Sequence, residues 1–543
     1  VRAGLQAFLA LQGRISLDTK LVVTVGDLAL LSNSWSLTGT GPDGKPLTMG
    51  ATTAEVARRQ ADGTWRYEID NVWGDQPREP PDEWRPGMDA AEIVIIGAGA
   101  GAKLIWGSVP GRSVAVVEQE LVGGYCPFYA CVPSKAMLRS LRVWGLGVDE
   151  QFSGLFTGRS DARAAYRQAV ARRERIVNGR DDSLTAAALQ KTGARLLRGT
   201  GRVIKPGVVE VEGTRVGYRD LVLNTGSTPR IPEVPGLDAV PTWTSEHAMS
   251  TSEQPGSIAV IGGGPVGCEL AYHFAVLGTQ VTVIQRNARL IPREEPEASA
   301  SMAERLTAVG VRVLLGDQVA SAQPCEGGAR LTLVDGDRVD ADRVVLAPGR
   351  RPRTAGLGLE ALGLHLDPGQ AIKVDEHCRV IGTGNVWAVG DVTGVAPFTH
   401  TAHYQGRVVA ANLAGRQVRA DYRGVPRAVY TTPVLAAVGH TEASARAAGI
   451  EPIVASAAVS DTVRSTTEGS AEGWLKLLAD PRRGTLVGAT AMGGYAEEWI
   501  SEVSLAVRAE VPVTAHADVV HPFPTYSEIL EGPLWKLAAQ LSG

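Results

Sequence analysis

The chain has 543 residues, enough for about three or four domains of ordinary size, and its 44% apolar and 21% charged residues exclude a disordered or fibrous chain. Its net charge of −4, with no long run of one sign, removes the electrostatic case for nucleic acid or an anionic membrane surface as a partner. Sixty-three glycines without low-complexity tracts point to many tight turns and close backbone approaches, as in nucleotide-binding α/β domains.

Residues 1–11 lack the charged start, apolar core and small-residue cleavage site of a signal peptide, so the cytoplasm is the expected compartment. Residue 1 is Val, which reads either as an alternative start codon or as the edge of a fragment. A short apolar helix is expected over 3–11, followed by three extended segments, 20–37, 46–59 and 64–73. Gly-Pro-Asp-Gly (41–44) and Ala-Asp-Gly (61–63) supply turns between them. With its stretch DGTWRYEIDNVWG, segment 1–73 resembles the C-terminal half of a nuclear transport factor 2-like domain lacking its closing helices. Three strands and one helix bury little core, so this segment is expected to lean on the rest of the chain or on a partner. Residues 74–90, with four prolines and seven charged residues, read as an exposed linker.

From residue 91 strand and helix signals alternate, and two glycine-rich strand–turn–helix units begin at Gly97 and Gly262. The first is AEIVIIGAGAGAKLIW. Its apolar run enters a turn in which backbone N–H groups and a helix N-terminus can face a pyrophosphate, with Gly97, Gly99 and Ala102 at the three small-residue positions. Glu118 ends the next strand, SVAVVE, where an acid accepts the hydroxyls of an adenosine ribose. A glycine-rich structural turn is the competing reading, and Gly107 and Pro110 keep the intervening helix short.

The segment GGYCPFYACVPSKAMLRS follows. Cys126 and Cys131 lie at the start of a proline-led helix, whose positive end lowers a thiol's pKa, so the pair can cycle between disulfide and dithiol. A structural disulfide is the alternative. Zinc is not expected, because no other Cys or His lies within about a hundred residues.

The second unit, SIAVIGGGPVGCELAYHFAVLGTQVTVIQRNARL, fits the full glycine pattern with Gly262, Gly264 and Gly267. It holds the longest apolar run, 258–277, but Glu269, His273 and the glycines break it, so no membrane span is expected. Its second strand ends in Gln285-Arg286, with Arg289 close behind, instead of an acid. That favours a 2′-phosphate and NADPH over NADH, unless both arginines face solvent. From about residue 421, strand-like runs at 428–432, 474–478 and 486–492 mix with a helix at 496–508, which suggests a further α+β domain.

In this order the motifs resemble the FAD-dependent pyridine nucleotide–disulfide oxidoreductases, the family of dihydrolipoyl dehydrogenase, glutathione reductase and mercuric reductase, over residues 91–543. The resemblance implies an α/β fold with two Rossmann-like domains and a C-terminal α+β dimerisation domain. Residues 91–235 and 351–420 would bind FAD, 236–350 NAD(P), and 421–543 would form a homodimer. It implies that Cys131 is the thiolate touching the flavin and Cys126 the exchanging thiol. In LVLNTGSTPRIP, Thr225 and Gly226 fall near the cofactor, and Lys135 pairs with Glu269 beside the flavin. VVLAPGRRPRT carries Gly349, with Pro348 in place of the family's usual Thr. In NVWAVGDVTG, Asp391 would bind the ribityl chain, and the stretch opening at Thr399 follows it.

The terminal motif departs from the family, whose His-Pro-Thr-x-Ser-Glu supplies an acid/base His oriented by the Glu. Here Glu528 remains, Phe523 stands at the imidazole position, and His521 is offset beyond Pro522. Tyr125 replaces a Thr, Phe128-Tyr129 replace small polar residues between the cysteines, and no cysteine follows Cys378. The expected function is electron transfer from NADPH through FAD to Cys126–Cys131 and on to a small-molecule or protein disulfide. Loss of the imidazole removes acid/base help worth about 10²–10⁴ in rate. It therefore opens a second reading, an enzyme that stops at the flavin and reduces quinones, dyes, dioxygen or metal ions. A third is a binding scaffold that retains the fold.

Overall fold

In the computed structural model, residues 13–25, 28–40, 46–60, 62, 64–71, 89–156 and 161–542 are described. Two units separate by their contacts, residues 1–88 and 89–543. The first holds four strands, Gly13–Val25, Leu28–Thr40, Pro46–Arg59 and Trp65–Asn71, each antiparallel to the next. The stretch 20–37, expected as one segment, is therefore parts of two strands. Their pairing runs to Val25↔Leu28. Ala29 and Ala57 face each other in the register and are both buried. The helix expected over 3–11 lies outside the described residues, as does the linker up to residue 88; residues 89–90 already belong to a strand of the second unit.

That strand, Asp89–Ile96, is central in a sheet that runs Arg195–Arg198, Val114–Glu118, Asp89–Ile96, Thr214–Leu223, all parallel, then Val208–Val211 and Gly201–Lys205 antiparallel. Ile93, Val94 and Ile95 are all fully buried, as in a parallel strand covered on both faces. Val386–Ala388 returns from far along the chain to pair with Thr214–Leu223, which brings the residues after 388 to the same carboxyl edge as Gly97.

A second parallel sheet has the order Thr242–Thr244, Arg343–Leu346, Ser257–Ile261, Gln280–Gln285, Arg312–Leu315. The C-terminal part is an antiparallel sheet, Pro426–Val429, Val434–Gly439, Thr485–Gly493, Trp474–Asp480, Ile453–Ala458, with helices Ala496–Ala509 and Glu531–Ser542. One buried cluster bridges these parts, beside clusters that belong to single sheets. Met137, Leu138, Ile258 and Val345 lie in the same buried cluster as Val429, Leu435 and Met492. No helix among the described residues is long and apolar enough to cross a membrane.

Candidate active site

The first glycine turn is set by sterics. Gly97 has φ 96°, and a Cβ there would sit 2.4 Å from the Asn224 carbonyl oxygen. Asn224 Nδ2 donates to Gly97 O at 2.9 Å, which ties the turn to the end of strand Thr214–Leu223. Gly99 caps the short helix Ala100–Trp106, where Ala102 is fully buried and Gly107 ends the helix, as its composition leads one to expect. Glu118 is 8% exposed, and its two oxygens accept from the N–H of Ala98 (2.8 Å) and of Glu120 (2.7 Å). Burial pushes its carboxyl above the ordinary range.

Gly97, Gly99, Glu118 and Asn224 line an open cleft whose lining also includes Thr225, Gly226, Asp391, Thr399 and Cys126. Asp391 Oδ2 accepts from Ser227 Oγ at 2.6 Å, and Arg350 donates to that hydroxyl and to Ser227 O, both at 2.7 Å. Thr225 Oγ1 donates to Arg353 O at 2.7 Å. Arg353 in turn donates to the Tyr125 hydroxyl at 3.1 Å, which itself donates to Glu120 at 3.0 Å. Asn224, Ser227, Arg350, Arg353 and Glu120 were not singled out from sequence, and Tyr125 was noted only as replacing a Thr. Only Asn224, directly before Thr225-Gly226 at a strand end, offered a signal.

Both cysteines are free thiols, and Cys126 lines the cleft. Cys126 lies in the short helix Tyr125–Phe128, and Cys131 opens the helix Cys131–Val148. Cys131 Sγ is 3.3 Å from Thr399 Oγ1. The hydrogen bond from Cys126, then the Thr399 hydroxyl and the Lys135 charge, bring Cys131 down to about 6 against its burial. The same bond, with burial, pushes Cys126 upward. One turn along, Lys135 Nζ pairs with Glu269 Oε2 at 2.9 Å and lies 4.0 Å from the centre of the Tyr430 ring. The other Glu269 oxygen accepts the Tyr430 N–H at 3.0 Å, so the expected Lys135–Glu269 pair forms between the thiol helix and the second glycine unit.

In that second turn, Gly262 (φ 111°) would place a Cβ 2.4 Å from Ala347 O, and Gly267 would place one 1.9 Å from Gly262 O. Gly264 differs. It caps the helix Pro265–Val276 at φ −79°, and a Cβ there would meet nothing within 4 Å. Neither backbone strain nor packing calls for glycine at 264. Gly349 (φ 121°) likewise faces open space.

Gln285 is buried where the acid would stand. Its Oε1 accepts the Gly263 N–H (3.1 Å) and its Nε2 donates to Arg289 O (3.2 Å). Arg286 is exposed. Arg289 turns one nitrogen to Pro292 O at 3.2 Å and keeps another buried with no partner among the described residues.

The terminal segment is arranged otherwise than its motif suggests. Glu528 accepts the Thr525 N–H at 2.8 Å, capping its own turn. Phe523 is 71% exposed. His521 is held between Glu502 (3.1 Å) and Glu531 (3.2 Å), and His516 also bonds Glu502 at 2.8 Å.

Residues 91–406 match the family described as pyridine nucleotide-disulphide oxidoreductase, and residues 425–533 match that family's dimerisation domain. The chain is 30% identical over 449 residues to a dihydrolipoyl dehydrogenase of Chlamydia muridarum, covering 81% of this chain and 95% of the relative. It is 31% identical over 449 residues to a mercuric reductase of Staphylococcus aureus, covering 81% of each. Among solved structures, a Cu(II) complex of the HOCl-induced flavoprotein disulfide reductase RclA from Escherichia coli superimposes with a TM-score of 0.73 at 26% identity, over 82% of this chain and 99% of that one.

Proposed function

Because the chain belongs to the pyridine nucleotide-disulphide oxidoreductases, we propose that it carries electrons from NADPH through FAD to the Cys126–Cys131 pair and on to a disulfide. FAD would occupy the cleft, with Glu118 at the adenosine ribose, the turn of Gly97, Gly99 and Ala102 at the pyrophosphate, Thr225, Gly226 and Thr399 alongside, and Asp391 at the ribityl chain. NADPH would lie on Gly262, Gly264, Gly267 and Gly349, with Arg286 and Arg289 toward the 2′-phosphate. When bound, the flavin supplies a two-electron carrier between hydride donor and disulfide.

The observation that carries this reading is the split of the thiol pair. A disulfide that takes up two electrons and one proton yields one thiol and one thiolate. Cys126 is the group biased to keep the proton, and Cys131, beside Thr399 and Lys135, the group biased to stay ionised. Cys126 then attacks the acceptor disulfide as its proton is lost, and a leaving thiolate takes a proton up. The family's imidazole position is Phe523 in this chain, so acid/base help to both transfers is reduced. The chain would therefore be a slow disulfide reductase and a competent reductase of quinones or dyes.

Phe523 at the imidazole position favours the second reading, with metal ions among the acceptors, as the names of the mercuric reductase and of the Cu(II)-bound flavoprotein suggest. The matched dimerisation domain, with Val520 91% and Phe523 71% exposed, supports a homodimer.

An anaerobic NADPH titration of the FAD-loaded protein separates the readings. A long-wavelength absorbance band after two electrons supports a Cys131 thiolate beside oxidised flavin. Bleaching of the flavin with no such band would mean that the thiols take no part.

A further inference from the structure

The segment leaving the second nucleotide turn is gripped by the C-terminal sheet. Residues 286–293 carry Arg286 and Arg289 and run into the acidic sequence Glu294-Glu295-Pro296-Glu297. On the inner side, the Ile291 N–H bonds Gly263 O at 2.8 Å and Ser299 Oγ bonds Leu290 O at 2.8 Å.

On the outer side, Glu294 takes two hydrogen bonds from Arg427, at 2.8 and 2.9 Å. Glu295, only 2% exposed, accepts the Glu442 N–H at 2.7 Å. Lys476, its side chain 7% exposed, reaches Glu295 at 3.5 Å, Glu297 at 2.8 Å, and Glu442. Burial opposes the Lys476 charge, yet Glu297 and Glu442 hold its ammonium above the ordinary range. Trp474 adds a bond to Ser301 at 3.0 Å. A buried ammonium facing three carboxylates costs desolvation that only close pairing offsets, so the contact has little freedom to shift.

We propose that Lys476 and Arg427 are positioning residues for pyridine-nucleotide recognition: by holding residues 294–297 they fix the loop that presents Arg286 and Arg289, so the C-terminal sheet sets the discrimination between NADPH and NADH. This rests on the reading that those arginines meet a 2′-phosphate. Guanidinium–phosphate bonds are directional, and a displacement of about an ångström loses most of their advantage.

The test is calorimetric binding of adenosine 2′,5′-bisphosphate and of adenosine 5′-monophosphate to the FAD-loaded protein. Wild type should hold the bisphosphate at least about tenfold more tightly. Lys476→Met and Glu294→Gln should cut that ratio about fivefold or more, leaving the monophosphate affinity in place, and Lys476→Arg should restore it. Lys476→Met leaves Glu295 unpaired and can misfold, whereas Glu294→Gln keeps size and shape. Ratios unchanged from wild type in folded Glu294→Gln, or both ligands weakening in step, overturn the proposal. A wild type that holds both ligands equally shows instead that the 2′-phosphate reading is wrong, and the positioning role goes with it.

Discussion

At the residue scale, a single hydrogen bond between Cys126 and Cys131 biases the two thiols in opposite directions. An ordinary thiol ionises at 9.0, and Cys131 at about 6. Its folded value is the lower one, so the thiolate's contribution to stability is complete above pH 9.0 and is lost as pH falls through about 6. The long-wavelength band of NADPH-reduced enzyme should therefore fall to half near pH 6. Thr399→Val should move that midpoint upward, since a hydroxyl 3.3 Å from Sγ is removed; an unmoved midpoint would show that Thr399 does not hold the thiolate.

Phe523→His tests the missing imidazole. Reduction of a small disulfide such as lipoamide should rise at least about tenfold while dye reduction stays level. A wild type that already reduces lipoamide at on the order of 10 per second or more would sink this account. The thiols were legible from their setting at a helix start, and Lys135 and Glu269 from the family resemblance. Gln285 was not. It reads as a lost acid, and only folding shows its amide bridging Gly263 and Arg289.

At the element scale, the glycines of the second turn divide into two kinds. Gly264→Ala meets no atom within 4 Å, so thermal stability should change by less than about 1 kcal/mol, while KM for NADPH rises at least about tenfold. Gly267→Ala drives a methyl to 1.9 Å from Gly262 O and should cost about 1–3 kcal/mol in stability. Melting curves paired with steady-state kinetics separate the two, and equal KM in wild type and Gly264→Ala would remove the ligand argument for that glycine.

The strand–turn–helix signature could be read because each turn needs glycine where the backbone runs close to the next strand. The N-terminal hairpin was harder. β-type residues run through 20–37 on both sides of Gly26-Asp27, and alternation alone does not mark where a strand ends. The pairing of Val386–Ala388 with Thr214–Leu223 was hidden too, since contact across more than a hundred and fifty residues leaves no local pattern.

At the scale of the whole molecule, the exposed apolar side chains of Val519, Val520 and Phe523 belong to the segment matched as a dimerisation domain. Val520→Asp should shift light scattering toward monomer at micromolar concentration, and disulfide reduction should fall with the dimer fraction. A dimer undisturbed by this charge would place the interface elsewhere. The bridging cluster, in which Met137 and Ile258 pack with Leu435 and Met492, has a consequence for how the fold opens. Parts that share a buried cluster cannot melt one at a time, because releasing either strips apolar cover from the other. In native-state hydrogen exchange, the slowest amides of Ser257–Ile261 and of Val434–Gly439 should report the same opening free energy and respond equally to denaturant. The nucleotide-binding and C-terminal sheets would then be one cooperative unit, so a destabilising change in either is felt in both.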